Sequence, residues 1–186
     1  MFKGYKQIFW GIFIATFNIK LGPIKILPAF VGLLLISIGL RKLYEETKVE
    51  SFHKTQVIGV LAASISFIAG LLNYFSDKPI NYSIPILVFM AVYNIIELIL
   101  FFKILESSIE YLDSNNYTDI ANENIAKLKG YTIISVINIV LMNFALLFNI
   151  NKLIFFVSLI GVILRIFIMV LVNRLKKLFI EVETLN

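Results

Sequence analysis

From Leu153 to Asn173 the chain carries a single charge, Arg165, set inside SLIGVILRIFIMVLV. A helix of about 20 mostly apolar residues matches the hydrocarbon thickness of a bilayer. A stretch this long and this apolar therefore has few homes other than lipid. Similar runs recur along the sequence, and little is left to cover a water-facing surface. Hydrophobic residues make up 59% of the chain and charged residues 16%, against roughly 45–50% and about 25% in soluble domains. The mean hydropathy is +0.89. These features predict an integral membrane protein.

The candidate spans are Gln7–Ile19, Ile26–Leu40, Thr55–Phe75, Ser83–Leu105, Gly130–Phe148 and Leu153–Val172. The expected fold class is all-α: a polytopic helical bundle of about six membrane helices, since each run approaches the length of a crossing. Residues 1–186 form one integral membrane domain, within which 106–128 is a cytoplasmic amphipathic connection. The opening MFKGYKQIFWGIFIATFNIK has a basic start and an apolar stretch, but no small-x-small cleavage site follows. It is expected to be a retained first span rather than a signal peptide. The first two runs are short, and IKLGPIKILP between them holds Gly22, Pro23 and Pro28. An ordinary hairpin is favoured over a re-entrant pair, because irregular backbone at membrane depth needs a protein or water-lined shelter.

Basic residues set the orientation, since cytoplasmic loops concentrate Lys and Arg. With both termini inside, the inner segments hold Lys3, Lys6, Arg41, Lys42, Lys48, Lys54, Lys103, Lys127, Lys129, Arg174, Lys176 and Lys177. The outer ones hold Lys20, Lys25, Lys78 and Lys152, so the ratio is twelve to four, with Arg165 the seventeenth. Both termini are expected in the cytoplasm of a cell membrane. Trp10, Tyr5 and Tyr44 beside these charges read as interfacial anchors.

The longest polar stretch, ESSIEYLDSNNYTDIANENIAKLKG, carries two apolar stripes. Leu105, Ile109 and Leu112 extend the fourth span, and Tyr117, Ile120, Ala121, Ile125 and Leu128 prepare the fifth. Asn116 with Asp119 resembles a helix start, so a helical hairpin is expected. Its acids follow no metal-loop spacing, which favours a solvated face.

Two intramembrane charges stand out. Glu97 lies about 12 Å from the inner end of the fourth span, and Arg165 about 13 Å from that of the sixth, at 1.5 Å per residue. Such residues are rare, face the bundle interior and pair, so an ion pair between the two helices is predicted. Asn138 falls at the same depth, and Asn94 sits three residues before Glu97 on nearly the same face. Ser64 and Thr16 lie within about a turn of that level; Asn143 would extend it outward. Glu97, Arg165, Asn138 and Asn94 thus form a candidate polar layer, either a structural lock or a substrate, ion or proton site. Small residues mark close helix packing in the third span, at Gly59, Ala63 and Ser66, with Ala62 and Gly70; Gly32 and Gly39 read the same way.

Several chemistries are excluded. There is no cysteine and one histidine, His53, which rules out thiolate metal sites, multi-histidine sites and cysteine nucleophiles. No P-loop, dinucleotide fingerprint or metalloprotease motif occurs, so no cofactor, metal or catalytic residue is assigned. The basic residues flank apolar runs singly and in pairs, which fits a lipid bilayer as partner and not nucleic acid.

The segment FNIKLGPIKILPAFVGLLLISIGLRKL resembles the opening of small, functionally uncharacterised multi-pass proteins of low-GC Gram-positive bacteria. The matching positions are Asn18, Ile19, Ile26, Leu27, Pro28, Phe30, Gly32, Gly39, Leu40 and Leu43. The resemblance covers about the first quarter of the chain and implies membrane embedding but no activity. Two roles remain open: a small permease or its membrane subunit, or a scaffold that binds a partner through its cytoplasmic hairpin.

Overall fold

The computed structural model describes residues 1–17, 20–21, 24–25, 28–75 and 84–185. Within these the chain is an all-α bundle of six helices: α1 (Phe2–Phe17), α2 (Ala29–Thr47), α3 (Glu50–Phe75), α4 (Ile84–Ser114), α5 (Thr118–Leu147) and α6 (Asn151–Leu185). A two-residue antiparallel ladder, β1 (Lys20–Leu21) with β2 (Ile24–Lys25), pairs Lys20 with Lys25 and Leu21 with Ile24 between α1 and α2. Each helix packs on the next in sequence, and α1 also packs on α6, so the bundle closes on itself. Three short linkers each contain a non-glycine residue in the left-handed region: Lys48, Asn116 and Asn149. Asparagine tolerates that conformation because its short side chain bonds locally.

α1 and α2 approach each other unusually closely. A Cβ added to Gly11 would lie 2.6 Å from the carbonyl oxygen of Gly32, and one on Gly32 would lie 2.4 Å from that of Gly11. Gly4 and Gly39 repeat the arrangement, at 2.9 and 2.7 Å. In each helix the two glycines are seven residues apart, so both fall on one face. The paired glycines let backbone touch backbone, as small residues do in membrane bundles. Gly59 in α3 continues the pattern: its added Cβ would meet Ser37 Oγ of α2 at 2.5 Å. Ala62 and Ala63 are buried and Ser66 is half-buried, whereas Gly70 faces open space.

The largest fully buried apolar side chains, among them Ile8, Ile12, Leu33, Ile36, Leu40, Leu100 and Ile104, lie toward one end of the bundle. At that end α1, α3 and α5 begin and α2, α4 and α6 finish. The amino terminus forms an ion pair with Glu46 there, and the Lys176 ammonium lies 5.7 Å from the ring centres of both Phe2 and Phe9. Tyr5 is fully buried and donates a hydrogen bond to Ser108 Oγ at 2.9 Å, so it ties α1 to α4 and is not an interfacial anchor. Thr55 and Ser107 share a hydrogen bond of 3.3 Å between α3 and α4. Toward the other end, apolar side chains point outward: Ile84 is 70% exposed and Phe155 67%. An apolar belt of this size on a soluble monomer would be anomalous; facing lipid, it is ordinary.

Four helices, α3 to α6, are long and apolar enough to cross a membrane. α1 and α2, with 16 and 19 residues, rise only about 24 and 28 Å at 1.5 Å per residue. α4 and α5, with 31 and 30 residues, rise about 45 Å and so overrun a hydrocarbon core of about 30 Å. Residues 106–128 are therefore the continuous ends of α4 and α5 joined by a turn. Asn116 is not the helix start expected for it. It adopts φ 66° within the turn, and α5 begins at Thr118 with no side-chain cap at Tyr117.

Candidate functional site: a polar cleft between α4, α5 and α6

Three helical stripes converge about halfway along the bundle. Asn94, Glu97 and Phe101 recur on one face of α4; Tyr131, Ser135, Asn138 and Met142 on one face of α5; Ser158, Gly161 and Arg165 on one face of α6. Spacings of three and four residues stack side chains on one helix face, and all three faces line a cleft of about 220 Å³. The volume exceeds many times over what one water molecule needs.

At its inner wall Arg165 Nη2 donates to Glu97 Oε2 at 2.7 Å, which joins α6 to α4. The Glu97 side chain is 6% exposed and that of Arg165 is 30% exposed. Arg165 Nη1 also donates to the carbonyl of Ala15 at 3.5 Å. Ala15 lies in the last turn of α1, where helix carbonyls lack an intrahelical donor. A cation there also complements the negative end of the helix dipole. Arg165 thus serves two roles, counter-ion to Glu97 and cap to a helix that ends deep in the bundle.

Glu97, Arg165, Asn138 and Asn94 all border this one cleft. Asn138 sits against Gly161, whose added Cβ would be 3.4 Å from the amide nitrogen of Asn138. The absence of a side chain on Gly161 makes room for that approach. Asn138 Oδ1 is buried without a protein hydrogen-bond partner, whereas the Ser135 hydroxyl lies beside that of Tyr131. An unpartnered buried carboxamide oxygen can accept a hydrogen bond from a polar solute.

Other residues placed at this depth go elsewhere. Thr16 donates to the Ile12 carbonyl at 2.7 Å and Ser64, which is exposed, to that of Val60 at 3.0 Å. Asn143 donates to the Ile139 carbonyl at 2.8 Å. Each bonds to the preceding turn of its own helix, the usual retreat of short polar side chains in helices. Gly59, Ala63 and Ser66 lie on α3, away from the cleft. Conversely, Tyr131, Ser135 and Ser158 belong to the cleft and were not anticipated, nor was the carbonyl of Ala15. The signal existed for α5, since Tyr131, Ser135 and Asn138 are spaced as one face.

The site offers a carboxylate, a guanidinium, two carboxamides and two hydroxyl-bearing faces around a small volume. Such a set can hold a polar solute by charge and hydrogen bonds. No known protein family, curated protein or solved structure matches the chain.

Proposed function

We propose that this chain is a multi-pass protein of the cell membrane, with both termini in the cytoplasm, whose α4–α5–α6 cleft holds a small polar solute. In this reading it acts as a small permease or as the membrane subunit of one. The observation that carries it is the cleft itself: about 220 Å³ bordered by the Glu97–Arg165 pair, with Asn138 Oδ1 able to accept a hydrogen bond in its wall. A pair serving only as a lock would gain from a dry, closed surround, because exclusion of water strengthens it. Buried polar atoms left without partners cost about 1–3 kcal/mol each unless something fills the space.

The natural sequence has no cysteine, so single cysteines report without background. Ser135→Cys in membrane vesicles should react with a small, charged, water-soluble thiosulfonate. Ile137→Cys, on the outward face of α5, should react only with a lipid-soluble maleimide. If Ser135→Cys is inert to the charged reagent, the cleft is dry and the transport reading fails. The scaffold reading then gains ground, supported by the projection of α4 and α5 well beyond about 30 Å of hydrocarbon.

A further inference from the structure

A second concavity, of about 270 Å³, opens between the first turns of α5 and the polar end of α6. Lys127, Arg174 and Lys177 border it, with Glu123 the one acid and Ile120 and Leu178 as apolar lining. Glu123 is ion-paired to Lys127 and lies 4.0 Å from Arg174, which leaves an excess of positive charge around the opening. Arg174 is 63% exposed. The position along the helices is the informative part. Arg174, Val170 and Phe167 follow one another at i, i−4 and i−7 on α6, so they share a face, and Val170 and Phe167 are exposed apolar residues. On α5, Lys127, Gly130 and Ile134 share a face in the same way. Ile134 is exposed, and nothing lies within 4 Å of the point where a Gly130 side chain would begin. A cationic pocket therefore caps an open apolar track, at the level where both helices pass from apolar to charged.

We propose that this pocket seats the phosphate-bearing headgroup of an anionic phospholipid, with its acyl chains lying along the Gly130–Ile134 and Phe167–Val170 faces. Basic pockets between helices at the cytoplasmic boundary are suited to such headgroups, whereas a free anion would have no use for the track beside the pocket. The proposal rests on the membrane reading of α5 and α6 and is independent of what the central cleft holds.

The test compares the full chain in nanodiscs of dioleoylphosphatidylcholine with and without dioleoylphosphatidylglycerol. Native mass spectrometry should show phosphatidylglycerol retained in preference to phosphatidylcholine, and the preference should shrink as salt is raised. Lys177→Gln alone should weaken that retention about fivefold, which corresponds to about 1 kcal/mol for one cation at an anionic surface. The triple change Lys127→Gln, Arg174→Gln, Lys177→Gln should abolish the preference. Should the triple variant fail to fold, Lys177→Gln decides, because this exposed side chain is not part of the core. Equal retention of the two lipids overturns the proposal, as does a preference that survives Lys177→Gln unchanged. Inorganic phosphate that displaces phosphatidylglycerol at millimolar concentration would show a free-anion site and also overturn it.

Discussion

Glu97 and Arg165 would each be costly alone, since a charge at the centre of a membrane helix costs about 2.5–3.5 kcal/mol even on the translocon scale. Together, at 2.7 Å, they neutralise each other. Breaking a buried pair from one side costs about 3–5 kcal/mol, and the 30% exposure of Arg165 places this pair at the lower end. Glu97→Gln and Arg165→Gln should each lower the melting midpoint in detergent, by equilibrium values near 3 kcal/mol. The double change should cost less than their sum, because neither charge is then stranded. Additive effects would show that the two side chains do not depend on each other. Arg165→Lys keeps the charge, but an ammonium lacks the fork that reaches both Glu97 and the Ala15 carbonyl. It should retain the pair yet fray α1, read as faster amide exchange at its C-terminal turn. The pairing was legible because helix rise is constant, so counting residues from each basic boundary gives depth. Depth does not give the direction a side chain faces around its helix. That is why Ser64 and Thr16, at the right level, bond to their own helices, while Tyr131 and Ser135, which depth alone does not single out, border the cleft.

The α1–α2 hairpin is held by complementarity that neither helix reveals alone. Gly32 and Gly39 are recognisable as a small-residue face in α2, but the reciprocal Gly4 and Gly11 lie in a helix whose partner and register the sequence leaves open. A Cβ added at any of the four glycines would lie 2.4–2.9 Å from a backbone oxygen, which cannot rotate away. Overpacking a core typically costs about 1–3 kcal/mol; here two helices would have to separate along their length, so the upper end applies. Gly11→Leu and Gly32→Leu should each lower stability by about 3 kcal/mol. Gly70→Leu, with open space around it, should be neutral within about 0.5 kcal/mol. Thermal unfolding of the three variants in one detergent separates them, and similar midpoints would mean the hairpin is looser than its geometry. The long spans α3 to α6 were visible because their apolar runs exceed the crossing length. Their polar-end extensions were harder to read, since α4 and α5 carry acids and asparagines at positions a loop would also favour. There, the apolar stripe of Leu105, Ile109 and Leu112 was the better guide than composition.

For the molecule as a whole, the reach of the α1–α2 hairpin sets the number of crossings. Phe30, at the start of α2, packs its ring 5.1 Å from that of Phe67 in α3. α3 continues from Phe67 to Phe75, a further rise of about 12 Å. The helical part of the hairpin therefore stops short of the far end of its neighbour. The β1–β2 ladder follows α1 and precedes α2 in the chain. The ladder also carries Lys20 and Lys25, charges suited to an interface and not to hydrocarbon. The hairpin is thus expected to cross fully, with its two lysines at the interface. Whether it crosses or turns back, an even number of passages would precede α3, which is compatible with the proposed placement of both termini on one side. Single cysteines separate these statements in intact cells. Asn151→Cys should label with an impermeant maleimide and Asn115→Cys should not; the reverse pattern overturns the orientation. Gly22→Cys, between the two strands, should label with Asn151→Cys. If Gly22→Cys stays inert while Asn151→Cys reacts, the first two helices form a re-entrant hairpin and the chain crosses four times. The twelve-to-four bias would survive that result only in part. Lys20 and Lys25 would leave the outer count, and an inserted hairpin would have to shelter two ammonium groups at depth, at several kcal/mol each. That cost is the physical reason to expect Gly22 outside.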